Sequence, residues 1–422
     1  MASSSDIDTL LERLFPICRS ITGNGVRETL SILKEYIPLE IHEIQSGTQA
    51  FDWIVPKEWN ITDAYILKPN GEKIADFKKN NLHIVGYSIP THTKVSFAEL
   101  KKHLHTMPEQ PDVIPYRTSY YKEAWGFCLS HNEFIKLPEG EYEVIIDATF
   151  ADGSLTYGEL FLPGKTEDEV LLSAYTCHPS MANDNVSGIA TLTFLAQEMA
   201  RTNHRYSYRF VFAPETIGAL VWLSKNQENA TRIKHGLIAT CAGDNGPFTY
   251  KKSRQGNTEI DRIVAKVLAD SGAPHNIIDF FPMGSDERQY CSPGFNLPIG
   301  SLMRTMYHLF PQYHTSADNL SFVKGAHIAE TIVMYKKVIE TLEQSRIYQR
   351  TNPYGEPQLG KRDLYSNLGG PVITDIKKQA MLWILNYSDG EHSLQTIADR
   401  STISLDIVSE VADTLLAEGL IV

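Results

Sequence analysis

From about residue 168 to residue 342 the chain alternates short apolar runs with segments of helical period, and few folds accept that pattern. Val170 to Tyr175 is an apolar run of buried-strand length, and Ile189 to Ala200 places apolar residues at helical spacing. Tyr208 to Ala213 is a second strand candidate, followed by a helix opening at Ile217 to Leu223. Leu237 to Cys241, Ile277 to Phe281 and Leu297 to Leu302 read as strands, with helices over Ile260 to Leu268 and Ala326 to Leu342. Strands alternating with helices of about 10–15 residues call for a layered α/β domain with a largely parallel sheet.

The flanking segments read differently. Leu10, Leu11, Leu14 and Ile17 make one helical stripe, and Val26 to Tyr36 a second. Between them Cys18 to Gly25 reads as a helix–helix loop, or as a glycine turn that brings backbone N–H groups to a ligand. Residues 51–164 are β-rich: Asn70-Gly71 separates Ala64 to Leu67 from Lys73 to Ala75, and Asp152-Gly153 separates Tyr142 to Phe150 from Leu155 to Leu162. Both are hairpin signals. One helix is predicted near Phe97 to His105. After the Pro/Gly-rich stretch Asn352 to Pro357, three helices follow at Ala380 to Leu385, Leu394 to Ala398 and Leu405 to Leu416, with helix-turn-helix spacing. The reading is a core of 1–50 with 165–350, an inserted β-rich domain over 51–164, and a winged-helix-like unit over 357–422.

In open α/β sheets ligands bind beyond the C-terminal ends of the strands, so the residues after each strand carry the argument. Cys177-His178 and Asn183-Asp184-Asn185-Val186-Ser187-Gly188 follow the first, Glu215 the second, Asp244 the third, and His314-Thr315-Ser316-Ala317-Asp318 the strand before the long helix. Singly, each has an ordinary structural reading as a packed histidine, a helix cap or a solvent-facing acid. Together, imidazoles and carboxylates at successive strand ends form the ligand set of a catalytic zinc site. Gly284 to Cys291 reaches the same cleft, and Arg288 and Tyr290 are its candidate substrate-binding residues; for Arg288 a structural salt bridge is the alternative. Pro115 to Tyr121 lies in the β-rich block and is read as a hydrophobic face, with an aromatic cover over the cleft as the alternative. His83, His92, His103 and His105 are read as surface residues.

The Asn183 to Gly188 and His314 to Asp318 runs resemble the zinc aminopeptidase superfamily of di-zinc exopeptidases. The whole chain is most similar to aminopeptidase-like proteins of bacteria and archaea that carry an inserted β domain and a C-terminal winged helix, often in settings of carbohydrate or surface-polysaccharide biosynthesis. The resemblance implies a mixed, largely parallel sheet and one or two zinc ions. His178, Asp184, Asp244 and His314 would be metal ligands, Asp184 bridging, and Glu215 the general base. It implies hydrolysis of an aminoacyl or acyl amide by zinc-activated water, on a small-molecule, peptide-like or carbohydrate-linked substrate. Two places depart from the superfamily. Ser180 stands where an orienting aspartate is usual, and Thr216 where a second glutamate is usual. The departures leave a catalytically degenerate metal-binding protein as the alternative, and the tail leaves a winged-helix regulator as a third reading.

Charge narrows these. There are 51 acidic and 39 basic residues among 422, a net charge of −12. The tail's recognition-helix position, Leu405 to Leu416, carries Asp406, Glu410 and Asp413 and no base, so nucleic acid is not expected as a partner. Protein contacts, including homo-oligomerisation through the tail, are expected instead. No apolar run is long enough to span a bilayer. The N-terminus lacks the charge and apolar stretch of a signal peptide, which predicts the cytoplasm. Five scattered cysteines predict neither a disulfide framework nor a zinc ribbon.

Overall fold

Four parallel strands occupy the middle of the main sheet because both of their faces are covered, and strands so placed are near-continuously apolar. The computed structural model describes residues 3–362, Leu364 and 376–422; Asp363 and Asp375, two acids of the tail, lie outside them. The sheet has eight strands: β1 (Glu40–Gln45), β2 (Ser154–Leu162), β3 (Glu169–Tyr175), β4 (Ser207–Ala213), β5 (Ile233–Ala239), β6 (Phe248–Lys251), β7 (His275–Ile278) and β8 (Ile299–Met303). Their order is β1-β2-β4-β3-β5-β8-β6-β7. Strands β4, β3, β5 and β8 run parallel, with β1 and β2 antiparallel at one edge and β6 antiparallel to β8 at the other. Every residue of β3, β4 and β8 is buried. Helices Ser187–Met199, Ile217–Lys225, Glu259–Ser271 and Gly325–Gln344 follow strands of this sheet in sequence. The α/β core expected from the alternation is therefore observed, with a mixed sheet.

The second expected hairpin is not one. Glu141–Ala151 pairs with Glu58–Leu67 and Thr91–Ser96 in a four-stranded sheet, whereas Ser154–Leu162 crosses into the main sheet between β1 and β4. The Asp152-Gly153 turn reverses the chain, but Ser46 Oγ accepts the Gly153 N–H (3.1 Å) and Glu58 accepts the Ser154 N–H (3.0 Å), which hands the chain from one sheet to the other. The Asn70-Gly71 hairpin is as expected, with Ile66 opposite Ile74. Residues 51–164 do not stand apart as a domain. Ile66, Tyr142 and Val144 of the smaller sheet share one buried cluster with Leu171 and Val211 of the larger and with Trp222 of helix Ile217–Lys225, inside a compact unit Met1–Val338. His83, expected at the surface, is buried with Nδ1 2.8 Å from the Cys128 carbonyl oxygen.

Helix Asn24–Leu33 is tied to both sheets by Arg27. Its guanidinium pairs with Glu58 at 2.7 Å and with Glu43 at 2.9 Å. The bonds from Arg27 hold the Glu58 carboxyl down at about 2. A lowered folded-state pKa adds stability above the ordinary carboxylate value, and that stability is lost as pH falls toward 2. Glu58→Gln is therefore expected to lower stability by about 1–2 kcal/mol at pH 7. It should also flatten the fall of the melting temperature between about pH 4.5 and 2, the window between the ordinary carboxyl value and the folded one. Thermal melts across that range check both.

The second compact unit is Ile339–Val422. Helices Ile376–Tyr387, Leu394–Ser401 and Leu405–Ala417 pack around Ile384, Ile397, Val408, Val411 and Leu415, and Ile347–Gln349 pairs with Asp389–Ser393. Val408, Val411 and Leu415 thus serve this unit's own core, while Leu405 and Leu416 of the same helix are exposed. Among the described residues no helix is long and apolar enough to cross a membrane.

Candidate metal centre

β3 ends at Tyr175, and the chain then turns to place His178 at the C-terminal edge of the sheet. The His178 carbonyl accepts a bond from buried Arg19 (2.8 Å), and its Nδ1 lies 3.4 Å from Cys177 Sγ. Its Nε2 is left facing Asp184 Oδ2 and Glu215 Oε2, each at 3.9 Å. Asp184 sits in the loop before helix Ser187–Met199, and its Oδ1 accepts the Tyr175 hydroxyl. The backbone N–H groups of Asn183 and Asp184 both donate to Asp318, at 2.6 and 3.0 Å, so Asp318 fixes the loop that carries the carboxylate. His314 Nε2 is 2.9 Å from Asp184 Oδ2. The His314 ring stacks on Tyr313, with centroids 3.9 Å apart, and its carbonyl accepts the Tyr116 N–H.

Ligand atoms of His178, Asp184 and His314 all lie within 4.8 Å of one another. Asp184 Oδ2 and His314 Nε2 are buried and face each other at 2.9 Å, and neither has any other hydrogen-bond partner. Two imidazoles converging with a carboxylate fit a divalent transition metal. Burial pushes the His178 imidazole down to about 4, which leaves it neutral and able to ligate. Burial opposes ionisation of Asp184, but His178 and His314 outweigh it and hold the carboxyl at about 2. Ser180, Thr216, Cys241 and His314, all non-glycine, take positive φ of 41°, 64°, 46° and 53° around this cluster. Each costs on the order of 1–3 kcal/mol and persists only where the surroundings impose it, as at functional sites.

Two expected residues lie elsewhere. The Asp244 carboxylate accepts from Asn183 Nδ2 (2.9 Å), the Gly246 N–H (2.7 Å), the Thr305 hydroxyl (2.6 Å) and the Thr305 N–H (3.3 Å). It fastens three loops and does not join the metal cluster. The end of β5 instead presents Thr240, whose hydroxyl is 2.6 Å from that of Tyr175. Tyr290 is fully buried against the central strand β3, its hydroxyl 3.3 Å from Ser173 Oγ and its ring 6.2 Å from Trp222. The other motif residues prove structural. Asn185 donates to the Ala239 carbonyl, Ser187 Oγ accepts the Ala242 N–H, and a Cβ on Gly188 would come within 2.3 Å of the Ala239 oxygen.

Glu215 follows β4, its N–H donating to Cys177 Sγ at 3.3 Å. Burial pushes its carboxyl well above the usual range, with Asp286 and Asp184 adding to the rise and Arg288 opposing it. It lines a cavity of about 480 Å³ with His178, His314, Thr216 and Arg288. Tyr116, Arg117, Tyr120 and Tyr121 form the facing wall, so the 115–121 segment covers the cleft rather than serving only as a hydrophobic face. Its position is secured by a bridge between Pro115 and Thr315. Sequence reasoning missed Arg19, Tyr175 and the positioning role of Asp318. A lone arginine in the helix–helix loop Cys18 to Gly25 was the signal for the first, and the shared motif with His314 for the last.

Comparison with known proteins follows the same division. A family model described as a domain of unknown function (DUF4910) matches residues 8–345, and one described as a winged helix-turn-helix matches 346–422. A Clostridium acetobutylicum protein, provisionally named for polysaccharide biosynthesis and an aminopeptidase-like domain, is 53% identical over 413 residues, 98% of this chain and 95% of that one. A crystal structure from C. acetobutylicum, provisionally called a peptidase, superposes with a TM-score of 0.84 at 52% identity, covering 99% of this chain and 96% of that chain. A zinc aminopeptidase from Bacillus subtilis shares the fold at 11% identity, with a TM-score of 0.59 over 80% of this chain and 94% of that chain.

Proposed function

We propose, since this chain belongs to the family described as a domain of unknown function (DUF4910), joined to a winged helix-turn-helix, that its aminopeptidase-like core is a metal-dependent amide hydrolase working with one zinc ion. The observation that carries this reading is the convergence of His178, Asp184 and His314, whose two histidines line one cavity with Glu215. Those three residues would hold the metal. A bound zinc ion supplies Lewis acidity, polarising a carbonyl and making water more acidic. One ion is proposed because Cys177, His178 and Glu215 form the other grouping among the described residues; it reuses His178, and Cys177 already accepts the Glu215 N–H.

Glu215 takes the proton of the attacking water on a carboxylate oxygen and returns it to the leaving amine nitrogen. A positive charge held at His178 and Asp184 would draw its raised pKa back toward the value a base needs. Tyr116 closes the cavity over both histidines, with ring centroids 5.3 Å from His178 and 5.1 Å from His314. Turnover of chromogenic aminoacyl amides with added zinc or cobalt tests the reading; zinc binding without turnover of any amide would favour the degenerate binding protein. Glu215→Gln is expected to retain zinc and lose about 10²- to 10⁴-fold in kcat. If it loses zinc instead, Glu215 is a ligand and not the base. The name of the C. acetobutylicum relative supports a carbohydrate-linked amide as the substrate.

The winged helix is proposed to make protein contacts. Helix Leu405–Ala417 presents Asp406, Glu410 and Asp413, of which Glu410 pairs with Lys377 and Asp413 with Arg346. An acidic helix gains nothing from counterion release on phosphates. A gel shift with mixed duplex at about 150 mM salt should show no complex; salt-sensitive binding lost on deleting residues 357–422 would revive the regulator.

A further inference from the structure

Arg288 enters the cavity wall from the turn after β7, on the same side as Glu215 and Thr216. Its Nη2 donates to Thr216 Oγ1 at 2.9 Å, while its Nε is buried with no hydrogen-bond partner. Among the described residues no carboxylate lies within 4.0 Å of the guanidinium; the salt bridge expected as an alternative is not formed. A cation left half-satisfied in a cavity wall is costly unless a ligand completes it. The turn is fixed by the two residues just before Arg288. Thr216 N–H donates to Asp286 Oδ1 at 2.6 Å, and the next residue, Glu287, is fully buried against Lys251 at 2.6 Å.

The charges around the cavity agree. Arg117 lines the facing wall, exposed and without an ion pair among the described residues. Against these two guanidinium groups the lining holds a single acid, Glu215. A free substrate ammonium would find no other anionic partner in the lining, whereas an anion would find two cations. The planar fork of an arginine matches a carboxylate bidentately.

We propose that Arg288 recognises a carboxylate, so that the amide cleaved here carries an acid group close to the scissile bond. This rests on the cavity being the substrate cavity of the hydrolase proposed above. The test uses full-length protein freed of metal, titrated calorimetrically with succinate and with the neutral succinamide. Wild type should bind succinate in preference to succinamide. Arg288→Gln should weaken succinate by about 10- to 100-fold and leave succinamide unchanged. Arg288→Lys, which keeps the charge and loses the fork, should fall between them and carries the test if the glutamine variant does not fold. Equal succinate affinity in wild type and both variants, or no preference over succinamide, overturns the proposal. Succinate binding that depends on Arg288 in a protein that turns over no amide would uphold the subsite and sink the hydrolase reading, so the two failures are distinct.

Discussion

Purified full-length protein carrying His178→Ala or Asp184→Ala is expected to bind zinc more weakly by on the order of 100-fold or more. His178 and Asp184 are buried, and Asp184 is the member shared by both histidine contacts, at 3.9 Å to His178 and 2.9 Å to His314. Removing one donor of three leaves two, too few for a tetrahedral site with an open position. Asp244→Asn is the informative control. Its carboxylate is fully occupied by Asn183, Gly246 and Thr305, so that variant should lose stability while a folded fraction still binds zinc. Elemental analysis after dialysis against a competing chelator checks all three. Wild-type zinc content in the His178 and Asp184 variants would remove the assignment.

The other large effect concerns stability. Lys251→Met is expected to cost about 3–5 kcal/mol, because it leaves the Glu287 carboxylate buried without its cation. Lys251 and Glu287 have fully buried side chains, 2.6 Å apart. Lys251 Nζ also donates to the Met283 carbonyl (2.7 Å) and Tyr307 (3.0 Å), and Glu287 accepts from Ser301 (3.0 Å). Replacing both charges, as Lys251→Met with Glu287→Leu, should recover part of the loss, since two apolar groups leave no orphaned ion. Denaturant midpoints of the single and double variants measure this; an unchanged midpoint in the single variant would show that the pair is not what holds the turn.

How much of this was legible in the sequence depends on what each signal encodes. β3, β4 and β8 are buried throughout and so read as apolar runs, which is why the α/β core could be laid out in advance. Phe248–Lys251 is four residues long and ends in a lysine, so its periodicity did not distinguish it from a loop. The Asp152-Gly153 turn encodes a reversal but not the sheet that the next strand joins; that choice rests on pairing between distant segments such as Ile44 with Leu155. The strand-end rule located His178, Asp184, Glu215 and His314 correctly as neighbours. For Asp244 it gave only a neighbourhood: β5 ends at Ala239, and within the following loop it is Thr240, not the acid, that meets Tyr175. Tyr290 was misplaced because a helical turn at Glu287–Tyr290 sends Arg288 to the cavity and Tyr290 to the core, a distinction of two residues that the sequence alone does not resolve.

The central claim is that a single metal ion is held by these three residues, with Glu215 left free as a base. Anomalous diffraction at the zinc edge, from a crystal of the full chain grown or soaked with zinc, tests it most directly. The account predicts one peak in contact with His178 Nε2, the Asp184 carboxylate and His314 Nε2, with Glu215 facing the cavity. A second peak beside it, or a peak ligated by Asp244 or by Cys177, would contradict it.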